Sequence, residues 1–115
     1  MLDEREPILS RVRAALSEAQ DGYPDLETVA TRLCMSSRTL KRRLHDHGFT
    51  FRKLLDEVRR RDSIRLLENT TLSVEEVAFR VGYTAQGNFI RAFRSWIGTT
   101  PATFRKAGLP RSEEA

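Results

Sequence analysis

Apolar residues recur along this chain in short bursts spaced three to four apart, and no stretch alternates with a period of two. The pattern predicts helices joined by tight turns and no sheet. Pro7 suits a first helical position, and Ile8, Val12, Leu16 and Ala19 follow it, ending near Gly22. Asp25 can cap a second helix whose inner face is Leu26, Val29, Ala30 and Leu33. Ser36 or Ser37 can cap a third, with Leu40 and Leu44 inward and Gly48 past its end. Thr50 starts a longer fourth helix to about Glu68, with Phe51, Leu54, Leu55, Val58, Leu66 and Leu67 as buried candidates, interrupted by Asp62 and Ser63.

The fifth helix has the clearest start. Ser73 and Glu76 have the spacing of a capping box, and Leu72 can staple against Val77, with Val77, Ala78 and Val81 inward before Gly82. Thr84 opens a sixth helix with Phe89, Phe93 and Trp96 pointing in. Pro101 after Thr100 marks a short seventh near 101–107, and residues 108–115 read as a frayed tail. The chain also repeats itself. Glu27, Val29, Ala30 and Arg32 match Glu75, Val77, Ala78 and Arg80 at an offset of 48; one extra residue then shifts the offset to 49, so that Leu40, Arg42 and Leu44 face Phe89, Arg91 and Phe93. Two copies are too few for a solenoid, so a duplicated functional unit is the better reading.

Each copy is a short helix, a turn and a second helix, which is the helix-turn-helix plan: the second helix offers its outer face to a DNA major groove. Base edges there carry a distinct donor and acceptor pattern, so reading side chains must be donor-rich and lie opposite the buried residues. In the third helix that leaves Ser37, Arg38, Lys41 and Arg42 outward, with Arg38 and Arg42 favoured for bidentate pairing with guanine. In the sixth it leaves Gln86, Asn88 and Arg91, the amides being suited to adenine.

Charge sharpens this picture. The formal net charge is only +4, but residues 36–65 carry 10 basic and 4 acidic side chains and residues 77–112 carry 6 basic and none acidic, between acidic segments. Basic blocks supply sequence-independent affinity for phosphates, although a charge run can equally be a solvated helix face. Arg59, Arg60 and Arg61 on the fourth helix are phosphate candidates, with pairing to Asp56, Glu57 or Asp62 as the alternative. His45 and His47 point to different sides of a helix and make no metal site, no nucleophile has a base and orienting acid beside it, and no phosphate-cradling glycine loop is present. Neither an enzyme, a cofactor nor a metal is expected. No apolar run has the length to cross a bilayer, and the single Cys34 favours a reducing cytoplasm. The competing reading is a basic helical protein–protein interaction module.

Residues 25–106 resemble the DNA-binding domain of the AraC/XylS family of bacterial transcription regulators. The resemblance rests on Ala78, Gly82-Tyr83, Phe89, Arg91-Ala92-Phe93, Trp96, Gly98, Pro101 and Phe104-Arg105, with the stretch from Leu26 to Arg59 matching the first unit. It implies an all-α, homeodomain-like fold of seven helices, in which a long linker helix joins two helix-turn-helix subdomains. Residues 1–49 would hold an N-terminal helix and the first unit, 50–68 the linker helix, 69–107 the second unit and closing helix, and 108–115 the tail. A linker of about 19 residues spans on the order of 28 Å, which suits two reading heads about one DNA turn apart.

The resemblance further implies base contacts from Arg38, Lys41 and Arg42 and from Gln86, Gly87 and Arg91. Beside them stand phosphate contacts from helix starts and neighbouring loops, for which Ser37, Arg43, Arg59, Arg60, Thr84, Arg94 and Thr100 are the candidates. Double-stranded DNA is the implied partner, with RNA polymerase if the protein activates. Effector and dimer contacts are expected on an N-terminal domain for which this chain has no room. Two departures stand out: Gly87 has no side chain to offer, and Cys34 stands in the first turn where Gly82 stands in the second. If that turn needs positive φ, Cys34 bears a steric cost there; a half-buried turn cysteine is expected.

Overall fold

In the computed structural model, which describes residues 8–18 and 22–107, seven helices follow one another without a strand among the described residues. They are α1 (Ile8–Ser17), α2 (Leu26–Arg32), α3 (Ser37–Asp46), α4 (Phe51–Asn69), α5 (Val74–Arg80), α6 (Gln86–Ile97) and α7 (Pro101–Ala107). The expectations for Pro7, Ala19 and the tail fall outside the described residues. The chain divides into two compact units, with the boundary between Val58 and Arg59 inside α4.

The first unit packs α1, α2, α3 and the first half of α4 around Ile8, Val12, Ala15, Leu16, Val29, Ala30, Leu40, Leu44, Leu54 and Val58. Leu26, Leu33, Phe49 and Phe51 cover this core as half-buried neighbours. At its edge Arg13 on α1 joins Glu57 on α4, Nε to Oε2 at 2.5 Å, and lays its guanidinium over Phe49. The second unit buries Leu66, Leu67, Val77, Ala78, Val81, Phe89, Phe93 and Phe104. Its spine is a chain of ring contacts, tilted from Tyr83 to Phe89 to Phe93 and edge-on from Phe93 to Phe104, with centroids 5.6–5.8 Å apart.

Helix α4 explains the break in its own apolar stripe. Leu54 and Val58 belong to the first core, Leu66 and Leu67 to the second. Ser63 is fully buried, and its hydroxyl donates to the Arg59 carbonyl at 2.6 Å, so it brings its own partner into the interior. Thr50 accepts from the Lys53 N–H at 3.1 Å, which makes it the cap before α4 rather than its first residue; the helix ends at Asn69, one residue past the expected limit.

Candidate nucleic-acid interface

The two helical hairpins are built by the same local chemistry, 48 residues apart. Asp25 caps α2 by accepting from the Thr28 N–H at 2.9 Å, and that backbone hydrogen bond holds its carboxyl below the usual carboxylate range. Ser73 caps α5 in a full box: Ser73 Oγ accepts from the Glu76 N–H at 3.0 Å, and Glu76 Oε1 accepts from the Ser73 N–H at 2.8 Å. The Ser73 N–H lowers the Glu76 pKa in the same way.

Both hairpin helices then stop in a Schellman motif. Met35 N–H donates to Ala30 O at 3.0 Å and Cys34 N–H to Thr31 O at 3.0 Å; Tyr83 N–H donates to Ala78 O at 2.9 Å and Gly82 N–H to Phe79 O at 3.0 Å. The motif requires a left-handed residue, and Cys34 (φ 62°) supplies it in the first unit where Gly82 (φ 93°) does in the second. Cys34 is exposed, not half-buried, because this backbone turns its side chain away from the hairpin core. A Cβ at Gly82 would stand 3.1 Å from Arg59 Nη2.

After the turn the copies diverge. Ser36 caps α3 by accepting from the Thr39 N–H at 3.1 Å. In the second unit the extra residue moves the cap one place further on, to Ala85, which has no side chain able to accept. Thr84 therefore lies in the turn, not at the opening of α6, and the first N–H groups of α6 have no side-chain cap.

Leu40 and Leu44 anchor the inner face of α3, and Arg38, Lys41 and Arg42 stand exposed on the opposite one. His45 continues that exposed row, seven residues after Arg38. Sequence reasoning considered it only as a metal ligand, although the spacing that groups Arg38 with Arg42 also includes it. Ser37 is half-buried and Arg43 exposed beside this face. In α6, Phe89 and Phe93 are buried, while Gln86, Gly87, Asn88, Arg91 and Arg94 are exposed. Asn88 Oδ1 accepts a hydrogen bond from Arg91 Nη2, so two of the proposed readers are joined. A Cβ at Gly87 would meet nothing within 4 Å. Trp96 does not point in as expected: it is half-buried, because Phe89 and Phe93 at a spacing of four define the inner line and Trp96 lies at its edge.

The other phosphate candidates occupy different settings. Arg60 is exposed on α4, and Arg61 reaches Asp62 at 3.3 Å. Arg59 is half-buried with its guanidinium 4.7 Å from the centre of the Tyr83 ring, a cation–π contact that positions the turn before α6. Thr100 caps α7, accepting from the Thr103 N–H at 3.2 Å. Sequence reasoning gave Arg105 no task, yet its guanidinium donates to the carbonyls of Leu67 (3.1 Å), Leu72 (2.5 Å) and Thr70 (3.2 Å). It thereby closes the C-terminus of α4 and the loop that leads to α5. Phe79, on α5, is the large apolar side chain left exposed among the described residues.

Known proteins resemble this chain in sequence and in fold. Residues 29–107 match the model of a helix-turn-helix domain family. The chain is 41% identical over 106 residues to the ornithine utilization regulator of Pseudomonas aeruginosa, covering 92% of this chain and 31% of that protein. The solved structure of the transcriptional regulator CdpR from Pseudomonas aeruginosa superposes with a TM-score of 0.82 at 40% identity, over 89% of this chain and 32% of that one. The DNA-binding domain of the global transcriptional factor AdpA, solved in complex with a target DNA, superposes with a TM-score of 0.70 at 35% identity, over 88% of this chain and 91% of that one. The chain spans about a third of the length of the curated relatives it matches. By sequence match and by fold, it belongs to the AraC/XylS family of transcription regulators and corresponds to that family's helix-turn-helix, DNA-binding domain.

Proposed function

We propose that α3 and α6 are the two reading heads of one DNA site and enter successive major grooves of it. The observation that carries this reading is the repeated geometry: each hairpin presents an exposed, donor-rich face opposite two buried anchors, Leu40 and Leu44 in one and Phe89 and Phe93 in the other. Arg38, Lys41 and Arg42 read bases in one half-site, and Gln86, Asn88 and Arg91 read fewer in the other, where Gly87 lets the backbone approach closely. The uncapped N-terminus of α6, with Thr84 beside it, meets a phosphate. Arg43, Arg60 and Arg94 add phosphate contacts, with Ser37, Thr100 and the outer edge of Arg59 at their margins. In a protein of the relatives' length, effector sensing and dimerisation belong to another domain, RNA polymerase is the partner of an activator, and the reducing cytoplasm is the setting.

Selection of bound sequences from a random duplex library at about 150 mM salt tests this reading. Recovery of two sub-sites one helical turn apart supports it. Enrichment of a single sub-site makes α6 a phosphate clamp, and no enrichment leaves a basic module for an acidic protein partner.

A further inference from the structure

Beside the reading face of α3, the first unit carries a hollow of about 570 Å³. Its floor is apolar: Leu26 from the first turn of α2, Phe49 from the turn between α3 and α4, and Phe51 from the start of α4. All three are half-buried residues packed against the core, so their inner sides are used by the fold and their outer sides line the opening. The rim is cationic. Lys41 and Arg42 from α3 and Arg52 from α4 supply the charge, His45 stands beside them, and no carboxylate lines the hollow among the described residues. Asp56, the acid that engages Arg52 at 3.4 Å, stands outside it. Small-molecule sites of roughly 300–1,000 Å³ have this composition, an apolar lining with a few charged groups that fix orientation. A flat DNA-reading surface needs the cations but not the apolar floor.

We propose that this hollow binds a small amphipathic carboxylate. The hydrocarbon part seats on Leu26, Phe49 and Phe51, the carboxylate pairs with Lys41 and Arg42, and the ligand competes with DNA for those two side chains. The competition rests on the reading of Lys41 and Arg42 as DNA contacts; the binding does not. Because each buried methylene multiplies affinity about fourfold, the site should discriminate by chain length as well as by charge. Where ligand and DNA exclude each other, ligand at ten times its Kd lowers the apparent DNA affinity about elevenfold.

The test is an amide NMR titration of the 115-residue chain, without DNA, using decanoate, hexanoate and decylammonium below their micellar concentrations. Decanoate should give saturable shifts centred on Leu26, Phe49, Phe51 and residues 41–52, and bind at least tenfold more tightly than hexanoate or decylammonium. Arg52→Gln should weaken decanoate severalfold with the spectrum otherwise unchanged, and Leu26→Gln should weaken it further. Unsaturable shifts, shifts elsewhere on the chain, or equal binding of the cationic amphiphile would overturn the site. Anisotropy of a labelled duplex at saturating decanoate then reads the competition: an unchanged DNA affinity overturns it. If the chain binds no duplex while the decanoate titration stands, the DNA reading fails and the ligand site survives.

Discussion

Replacing Arg105 with Ala removes three hydrogen bonds in one step, those to the carbonyls of Leu67, Thr70 and Leu72. The Leu67 carbonyl lies in the last turn of α4, where the helix runs out of its own donors, and those of Thr70 and Leu72 lie in the loop beyond it. Leu66 is served locally, by the Thr70 N–H at 3.2 Å and the Thr70 hydroxyl at 2.6 Å. A hydrogen bond from a charged donor contributes about 1.5–3 kcal/mol net, and a cation also complements the negative end of the helix. The guanidinium is half-buried, so water replaces part of each bond, and three bonds sharing one donor do not add. The expected loss is about 2–4 kcal/mol, well short of the sum of three separate bonds. Because the chain holds two compact units, a single melting temperature would blur the effect; amide hydrogen exchange resolves it. Protection should fall in α5, α6 and α7 and in α4 beyond Val58, and stay unchanged in α1, α2 and α3. Arg105→Lys should recover less than half of the loss, since an ammonium cannot hold three carbonyls as a planar fork does. A change below about 0.5 kcal/mol for the alanine variant, or equal loss of protection in both units, would refute the assignment.

The two turn residues make an opposed pair. Cys34→Gly should leave stability unchanged or raise it by up to about 1 kcal/mol in urea unfolding, relief of positive φ being offset by a freer unfolded chain, whereas Gly82→Ala should cost about 1–2 kcal/mol as strain adds to the approach of Arg59. Arg42→Ala should cost about 1–3 kcal/mol in duplex binding and relax preference at one base pair; uniform weakening on all sequences would make it a phosphate contact instead. Trp96→Ala should fall short of the roughly 3–5 kcal/mol of a fully buried aromatic, because the ring is half-buried, and a loss of that full size by thermal unfolding would place it in the core. Asp25 and Glu76 have lowered pKa values, so the stability they add to α2 and α5 is present above the unfolded carboxylate range and lost as pH falls through their folded values; exchange at α5 amides should rise over that acid window in the native chain and lose this dependence in Glu76→Gln.

Local chemistry made most of this architecture legible. Asp25, Ser36, Thr50 and Ser73 are short polar residues whose oxygens satisfy N–H groups three positions on, and that reach is visible in a linear chain. Buried positions at a spacing of four, Leu40 with Leu44 and Phe89 with Phe93, likewise fixed which sides of α3 and α6 remain outward. The readings that failed depended on partners far away or on a helix edge. Nothing near Arg105 announces carbonyls 33–38 residues earlier, and nothing near Tyr83 announces the Arg59 guanidinium above it. Trp96 fits the helical period loosely, but whether a residue at the margin of an apolar stripe is covered depends on what packs there.

The duplication makes the divergence of the two units informative. Both first helices are capped by a side chain that accepts from the N–H three residues on, and both turns make the same pair of Schellman hydrogen bonds. The second unit adds the reciprocal bond from the Ser73 N–H to Glu76, and the larger differences begin after the left-handed residue, at the extra residue that separates the offsets of 48 and 49. In the first unit the recognition helix opens under a serine cap and carries three exposed cations within five residues, Arg38 to Arg42. In the second it opens without a side-chain cap, carries a glycine at its second position and commits Arg91 to Asn88. A capped, cation-rich helix is suited to specify bases, while bare N–H groups beside a side-chain-free position are suited to hold a phosphate. If α3 and α6 face DNA as proposed, the same fold would give them unequal shares of base and phosphate contacts, and the inequality would follow from one inserted residue and the side chains placed after it.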